Sequence, residues 1–477
     1  MLFSSLEFIF LFLPVCLAVY FLVPLRAKNA VLLVFSLIFY GFGEPVYVFL
    51  MIFTVAADYI FGALVEKSAP HPKRAKAVLI ISIIFNLGIL AYFKYSVLFA
   101  KALSATLGIS LPLGALPDLP IGISFYTFQA MSYVIDVYRK TETAERDPII
   151  LGTYVALFPQ LVAGPIIRYS EISSQLRGRS HSISRAASGI RRFSVGLAKK
   201  CILANAAGEL WRDFAVTLSG GGEISTLGAW WAIIAFSSQI YFDFSGYSDM
   251  AIGLGHILGF EFPENFNYPY TAKSITDFWR RWHITLSTWF REYVYISLGG
   301  NRRGRARMYV NLFVVWSLTG LWHGAALNFL LWGLYYFLLL SLEKAVLSRW
   351  LARAPKALCH LYSLFFIALG WLIFASDGTV GSLTVSGAIS CLYAMLGVGG
   401  TPITTSGAIY TALRTLPFFI IMTLSATPIP KRLAERTSHN FPTVANAAQN
   451  ALSLFLILLS TAYLVSSGYN PFLYFRF

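Results

Sequence analysis

The residues best suited to chemistry lie between positions 277 and 323, where two histidines occur among tryptophans, arginines and hydroxyls. A neutral imidazole can take a proton from a hydroxyl and return it to a leaving group at neutral pH. His323 lies near the end of an apolar segment, where an ionisable group is costly unless it faces a cavity or a partner. We interpret His323 as a catalytic candidate for acyl transfer. The alternative is a histidine that a neighbouring helix simply hydrogen-bonds.

The segment 277–291 carries the second histidine, His283. As one helix, it presents an apolar face beside a polar stripe. The face consists of Trp279, His283, Leu286 and Phe290, and the stripe of Arg280, Ser287 and Arg291. Asp277 precedes Arg281 by four residues, the favourable order for a helical ion pair. Two adjacent guanidinium groups suit a phosphorylated donor. An interfacial helix with snorkelling arginines is the alternative.

A third group of polar residues, 241–249, lies in an otherwise apolar segment and includes Tyr241, Asp243 and Asp249. Asp249 and His256 are seven residues apart, so a helix places them on one face, where they could pair. We interpret the group as a structural polar network in preference to a catalytic one. Its spacing does not suit a metal, and we predict no metal site.

The elements that position these residues are predicted to be membrane helices. The chain of 477 residues is 57% hydrophobic and only 12% charged, whereas a soluble domain carries about 25% charged residues. We predict an all-α polytopic protein with roughly eleven or more spans, plus re-entrant or interfacial helices. The clearest segments are 6–25, 29–42, 46–65, 77–99, 120–138, 226–242, 308–322, 325–343, 357–375, 408–424 and 446–465.

Charge sets the predicted orientation. The formal net charge is +15, and Lys and Arg cluster between alternate apolar segments. The positive-inside rule explains this clustering better than nucleic-acid binding does, and it places the N-terminus outside. We predict one integral membrane domain over 1–477, with a core at about 120–345 and peripheral spans at about 357–465. The four scattered cysteines are interpreted as small buried hydrophobes.

Several motifs, taken in order, resemble the membrane-bound O-acyltransferase family and, within it, the alginate O-acetylation type of bacterial membrane protein. The most specific are Trp-Arg-Arg-Trp-His at 279–283 and Leu-Trp-His-Gly at 321–324. The matching segments are 120–128, 135–138, 158–165, 239–255, 264–266, 278–289, 298–302 and 321–325. The region after about 380 contributes little to the resemblance.

The resemblance implies a ring of helices around a central tunnel, with His323 as the catalytic histidine and His283 as the second. It implies acetyl-CoA as a substrate, with no permanently bound cofactor. It also implies an extracytoplasmic partner, an SGNH-type acetyltransferase or a glycan synthase, that delivers acetyl groups to polysaccharide hydroxyls. The predicted location is the bacterial inner membrane, in contact with its lipid. The donor- or substrate-binding set is Arg280, Arg281, Asp277, Ser287, Trp322 and Asn265.

Three functional alternatives follow from the same residues. The first is transfer to peptidoglycan, and the second is D-alanyl or acyl transfer to teichoic acid. The third is a transporter or channel that uses the same tunnel without consuming an acyl donor.

Overall fold

The regular secondary structure is all helical in the part that the computed structural model describes, which comprises residues 1–108, 117–222, 224–378, 382–466 and 470. The chain divides into two compact units, Met1–Phe193 with Tyr247–Pro263, and Ser194–Gly246 with Glu264–Phe477. Each unit is described by itself. The prediction of one membrane domain stays a prediction, because such a division does not show whether either unit folds alone.

The first unit contains most of the N-terminal helices. They are α1 (Leu13–Leu22), α2 (Lys28–Gly43), α3 (Tyr47–Lys67), α4 (Pro72–Leu107), α5 (Ile123–Arg139), α6 (Pro148–Ala156), α7 (Phe158–Leu161), α8 (Tyr169–Arg177) and most of α9 (Ile183–Ala198). The helix α5 is buried on nearly every side, which explains how an apolar segment of this unit can carry several hydroxyls and amides.

The second unit holds the remaining helices and part of α11. They are α10 (Asn205–Ser219), α11 (Thr226–Leu258), α12 (Ile275–Trp279), α13 (Ile284–Trp289), α14 (Gly304–His323), α15 (Leu327–Leu342), α16 (Ser348–Arg353), α17 (Lys356–Phe374), α18 (Val385–Leu396), α19 (Ser406–Ser425), α20 (Ile429–Asn440) and α21 (Pro442–Ser466). A π-helical turn, Glu343–Leu347, follows α15 directly.

The predicted spans coincide with helices, and the all-α fold is confirmed. Seven helical segments of the described residues are long and apolar enough to cross a membrane: Leu25–Gly43, Tyr47–Lys67, Pro72–Leu107, Leu327–Arg353, Lys356–Phe374, Ser406–Ser425 and Pro442–Ser466. The other four predicted segments, 6–25, 120–138, 226–242 and 308–322, are also helical but shorter or more polar. Their polar residues lie largely inside the protein, where a helix need not be uniformly apolar.

Two glycines let α14 and α15 pack with their backbones in contact. A Cβ on Gly333 would meet the carbonyl oxygen of Trp316, with the backbone of Gly320 3.3 Å away. A Cβ on Gly320 would likewise meet the carbonyl oxygen of Phe329. Small residues at such crossings are the usual means by which membrane helices approach closely. The contact fixes the last turn of α14, which ends at His323.

Replacement of Gly333 by Ala should lower the thermal unfolding midpoint of the purified protein, because backbone atoms on the facing helix cannot move aside. Overpacking of this kind costs about 1–3 kcal/mol. Gly88→Ala is the matched control, since nothing lies within 4 Å of the added Cβ on that apolar helix. Equal midpoints for the two variants would contradict the close packing.

Candidate active site

The second histidine lies at a break between two short helices. His283 has φ 44° and ψ 55°, the left-handed conformation, between the end of α12 and the start of α13. The prediction of one continuous helix over 277–291 is therefore wrong. The irregular segment before α12 binds the backbone here: Ile284 N donates to Asn265 O at 2.9 Å, and Asn267 N donates to Arg281 O at 2.9 Å. Long-range hydrogen bonds thus replace the helical ones.

The side chain of Asn265 fixes which nitrogen of His283 carries the proton. Its Oδ1 lies 3.0 Å from His283 Nδ1 and accepts from the backbone N of Thr285 at 3.3 Å and the Thr285 hydroxyl at 3.0 Å. A backbone N–H can only donate, so this Asn265 atom must be the acceptor oxygen. His283 Nδ1 therefore donates, and the lone pair of the neutral ring lies on Nε2.

Burial keeps the His283 ring neutral. The residue is 2% exposed, and removal from water lowers its pKa to about 3. The Phe244 ring contacts it edge-on with centroids 4.7 Å apart. Its Nε2 has no hydrogen-bond partner among the described residues. A neutral imidazole with an uncommitted lone pair is what proton acceptance from a substrate requires.

His323 is the last residue of α14, and aromatic rings surround its side chain. His323 is 4% exposed, and the next residue, Gly324, continues as extended backbone. Ring centroids of Trp332 and Phe374 lie 5.0 and 5.3 Å from the imidazole, both edge-on. Trp322 lies 5.0 Å from His323 and 6.2 Å from His283. The predicted substrate-binding Trp322 therefore contacts both histidine rings, although it does not line the cavity described next.

Both histidines line one cavity of about 320 Å³. Its walls are mostly aromatic and aliphatic, and Trp279, Trp316 and Leu286 contribute to them. The predicted Ser287 also lines the cavity. The face and the stripe inferred from helical spacing thus reach the same cavity, although the continuous helix that suggested them is interrupted. Room for a substrate beside two imidazoles is an arrangement suited to group transfer.

Three cations line the same cavity, and none of its lining residues is acidic. They are Arg280, Arg291 and Lys344, all exposed. Arg291 is paired with the neighbouring Glu292 at 2.8 Å. Lys344 was not anticipated from the sequence, where it begins a basic loop after an apolar segment. The cluster makes this cavity attractive to an anionic ligand.

The two adjacent arginines have different surroundings. Arg281 Nε donates to Asp277 Oδ1 at 2.9 Å, which confirms the predicted ion pair. Neither Arg281 nor Asp277 lines the cavity, whereas Arg280 does. Adjacent residues on a helical turn project about 100° apart, so the two side chains point in different directions. Their proposed roles in donor binding remain predictions.

A buried carboxylate holds α12 in place. Glu343 accepts from the backbone N of Ile275 at 2.6 Å and of Thr276 at 2.8 Å. Ser274 Oγ accepts from Asp277 N at 2.9 Å. The unpaired donors of this first turn are thus satisfied by side chains. Sequence reasoning missed Glu343; the available signal was a single carboxylate ending a long apolar run.

The polar group at 241–249 is built into the packing. Asp243 forms an ion pair with Lys200 at 2.7 Å, with both side chains 2% exposed. Asp249 belongs to the other compact unit and pairs with Arg192 at 2.9 Å. Tyr241 is buried against the rings of Phe266, Tyr270 and Trp282. None of these three predicted residues lines the cavity.

Replacement of Asn265 should affect the acyl transfer that the resemblance implies. Asn265→Ala removes the acceptor that orients His283, and we expect activity to fall about 10–100-fold, the scale seen for partners that orient metal-bound histidines. Asn265→Asp keeps the acceptor and adds negative charge. It should retain more activity and raise the pKa of His283 from its low value, so the acid limb of the rate profile moves to higher pH.

The pH profile distinguishes this orienting role from general destabilisation. Asn267→Ala is the matched control, because that side chain is exposed and two residues away. Identical profiles for Asn265→Asp and the unmodified protein would refute the tautomer assignment.

Comparison with known proteins agrees with the geometry. Residues 147–382, which include both histidines and Asn265, match the family model of the membrane-bound O-acyltransferases. A Pseudomonas putida protein named probable alginate O-acetylase AlgI is 36% identical over 492 residues, covering 100% of both chains. Its Pseudomonas aeruginosa namesake is 40% identical over 383 residues, 79% of this chain and 72% of the relative.

A relative with a different named substrate matches almost as widely. The Helicobacter pylori peptidoglycan O-acetyltransferase is 34% identical over 442 residues, 84% of this chain and 80% of the relative. These relatives share an O-acyl transfer activity in their names, and their matches cover most of the helices described above. The chain therefore belongs to the membrane-bound O-acyltransferase family and is an acyltransferase with several membrane-spanning helices.

Proposed function

We propose that the protein takes an acetyl group from cytoplasmic acetyl-CoA and passes it across the membrane for O-acetylation of a cell-surface polysaccharide, alginate-like or another exopolysaccharide. The observation that carries the proposal is the cavity that holds His283, His323 and three cations without an acidic residue in its lining. A relative that matches the whole chain is named as a probable alginate O-acetylase.

The donor part of the proposal rests on charge and wall chemistry. Coenzyme A carries phosphates at one end and a long, weakly polar arm that ends in the thioester. Arg280, Arg291 and Lys344 suit the phosphates. The apolar walls suit the arm and exclude water, which would hydrolyse the thioester. The donor is thus held by its charged end while its acyl end reaches the imidazoles.

The chemistry assigned to the imidazoles is proton transfer. A hydroxyl of the acceptor attacks the thioester carbonyl, its proton passes to His323, and the bond to sulfur breaks to release the coenzyme A thiolate, which takes up a proton. Alternatively, His323 accepts the acetyl group itself and hands it on. His283 Nε2 supplies a second neutral acceptor in the same cavity.

The acceptor side involves a partner. We place a polysaccharide, or an extracytoplasmic SGNH-type acetyltransferase or glycan synthase that serves it, on the outer face. Peptidoglycan is the second candidate acceptor, because the Helicobacter pylori relative is named for it. The distribution of basic residues favours an inner-membrane protein with its N-terminus outside.

Removal of either histidine should abolish acyl transfer without unfolding the protein. We expect His323→Ala and His283→Ala membranes to lose label transfer from acetyl-labelled coenzyme A by at least about 100-fold, the scale of a general acid–base contribution. His439→Ala is the matched control, since His439 is exposed on α20. The label is then followed into exopolysaccharide and peptidoglycan fractions separately.

The fate of the label decides between the alternatives. Label in peptidoglycan alone would replace the polysaccharide acceptor by the second candidate. Solute flux across vesicles with no consumption of the donor would support a transporter and reject the enzyme mechanism. Unchanged transfer by His323→Ala would remove the central residue from the proposal.

Loss of the cavity cations should weaken donor binding more than turnover. We expect Arg280→Gln and Lys344→Gln each to raise KM for acetyl-CoA about tenfold, since one charge-assisted hydrogen bond is worth roughly 1.5–3 kcal/mol. The maximal rate should change little. Arg349→Gln is the control, because Arg349 is exposed on α16 and does not line the cavity. An unchanged KM in both variants would exclude these cations from donor binding.

A further inference from the structure

A second cavity, of about 360 Å³, lies in the unit that contains α10, α11 and α19. Asp213 and Arg414 line it, together with the hydroxyls of Thr217, Ser225 and Thr411. None of its lining residues belongs to the histidine cavity. It therefore requires a separate explanation.

The opposite charges in this cavity do not neutralise each other. Neither Asp213 nor Arg414 forms an ion pair with any residue in the described part of the chain. The Arg414 guanidinium lies 5.8 Å from the Tyr410 ring and has no other recorded interaction there. A carboxylate and a guanidinium held apart in one cavity leave room for a ligand that carries both complementary charges.

The position of Arg414 relates the cavity to the membrane. It is eight residues after Ser406 on a helix apolar and long enough to span, which is about 12 Å along the axis. A cation at that depth normally serves a function or extends towards the interface. A lipid phosphate at the membrane interface would stabilise the positive charge of Arg414.

The flank of α19 beside the cavity is apolar and exposed. Tyr410, four residues before Arg414, is 66% exposed, and Ile421, seven residues after it, is 54% exposed, so both lie on the same helical stripe as Arg414. Acyl chains complement such a surface, whereas an oligosaccharide has no apolar extension to cover it. The combination favours a lipid over a glycan as the occupant.

The walls of the cavity are held by hydrogen bonds between the elements that form it. Trp231 Nε1 donates to Thr415 Oγ1 at 2.9 Å, which links α11 to α19. The backbone N of Leu227 donates to Ile403 O at 3.0 Å, which joins the start of α11 to the segment before α19. These bonds fix α19, which carries Arg414, against α11.

We propose that this cavity binds the zwitterionic headgroup of a phosphatidylethanolamine molecule, with Arg414 on the phosphate and Asp213 on the ammonium. The acyl chains lie along the exposed flank of α19. A carboxylate beside the phosphate disfavours anionic headgroups, so the site selects ethanolamine over glycerol. The binding is independent of the acyl acceptor that the enzyme uses.

The test is lipid titration of the purified, delipidated full-length protein, followed by native mass spectrometry. Phosphatidylethanolamine and phosphatidylglycerol with identical acyl chains are compared. We expect about tenfold tighter binding of the ethanolamine lipid, the scale of one charge-assisted hydrogen bond. Arg414→Gln should weaken binding of both lipids. Asp213→Asn should abolish the preference without weakening phosphatidylglycerol binding.

Control measurements identify the ligand class. Arg436→Gln, on the exposed α20, should leave both affinities unchanged. Arg414→Lys keeps the positive charge and should bind both lipids with intermediate affinity. This variant also tests the role of Arg414 if Arg414→Gln does not fold. Equal binding of the two lipids by the unmodified protein would overturn the proposal. Displacement of the lipid by a uronate oligosaccharide would also overturn the proposal. The same conclusion would follow if soluble phosphoethanolamine bound as tightly as the lipid.

Discussion

The side-chain oxygen of Asn265 is the acceptor on which the geometry of the active site depends. It takes hydrogen bonds from His283 Nδ1 and from the backbone and hydroxyl of Thr285. Those bonds stabilise a left-handed residue between two short helices, a conformation that costs about 1–3 kcal/mol without such support. They also leave the Nε2 lone pair uncommitted. One amide therefore determines the position of His283 and its chemical form.

Two further contacts position the segments that carry the two histidines. Glu343 binds the first turn of α12 from the π-helical turn that directly follows α15, and the glycine contact between α14 and α15 fixes the turn that ends at His323. Because this turn continues α15 without a break, the two together link the histidine-bearing regions. The aromatic rings around His323 leave it only 4% exposed, and a low-dielectric wall of this kind strengthens electrostatic interactions beside it.

In the second compact unit, the buried charges are paired and the cations of the histidine cavity are exposed. Lys200 and Asp243 are fully buried and neutralise each other, because an unpaired charge in that environment would be costly. The cations of the histidine cavity are exposed and can receive an external anion. Such exposed groups contribute little to stability, so their arrangement is better explained by ligand binding than by folding.

The sequence by itself determined the membrane character, the helical segments, the candidate histidines and the Asp277–Arg281 ion pair. Composition and short-range periodicity suffice for these properties, since a bilayer requires apolar helices and an i,i+4 pair depends on local geometry. Only the tertiary structure decided the break at His283, the role of Asn265 and the contact of Glu343 with α12. Each depends on hydrogen bonds between residues 14 or more positions apart, and helical spacing carries no information about such distant partners.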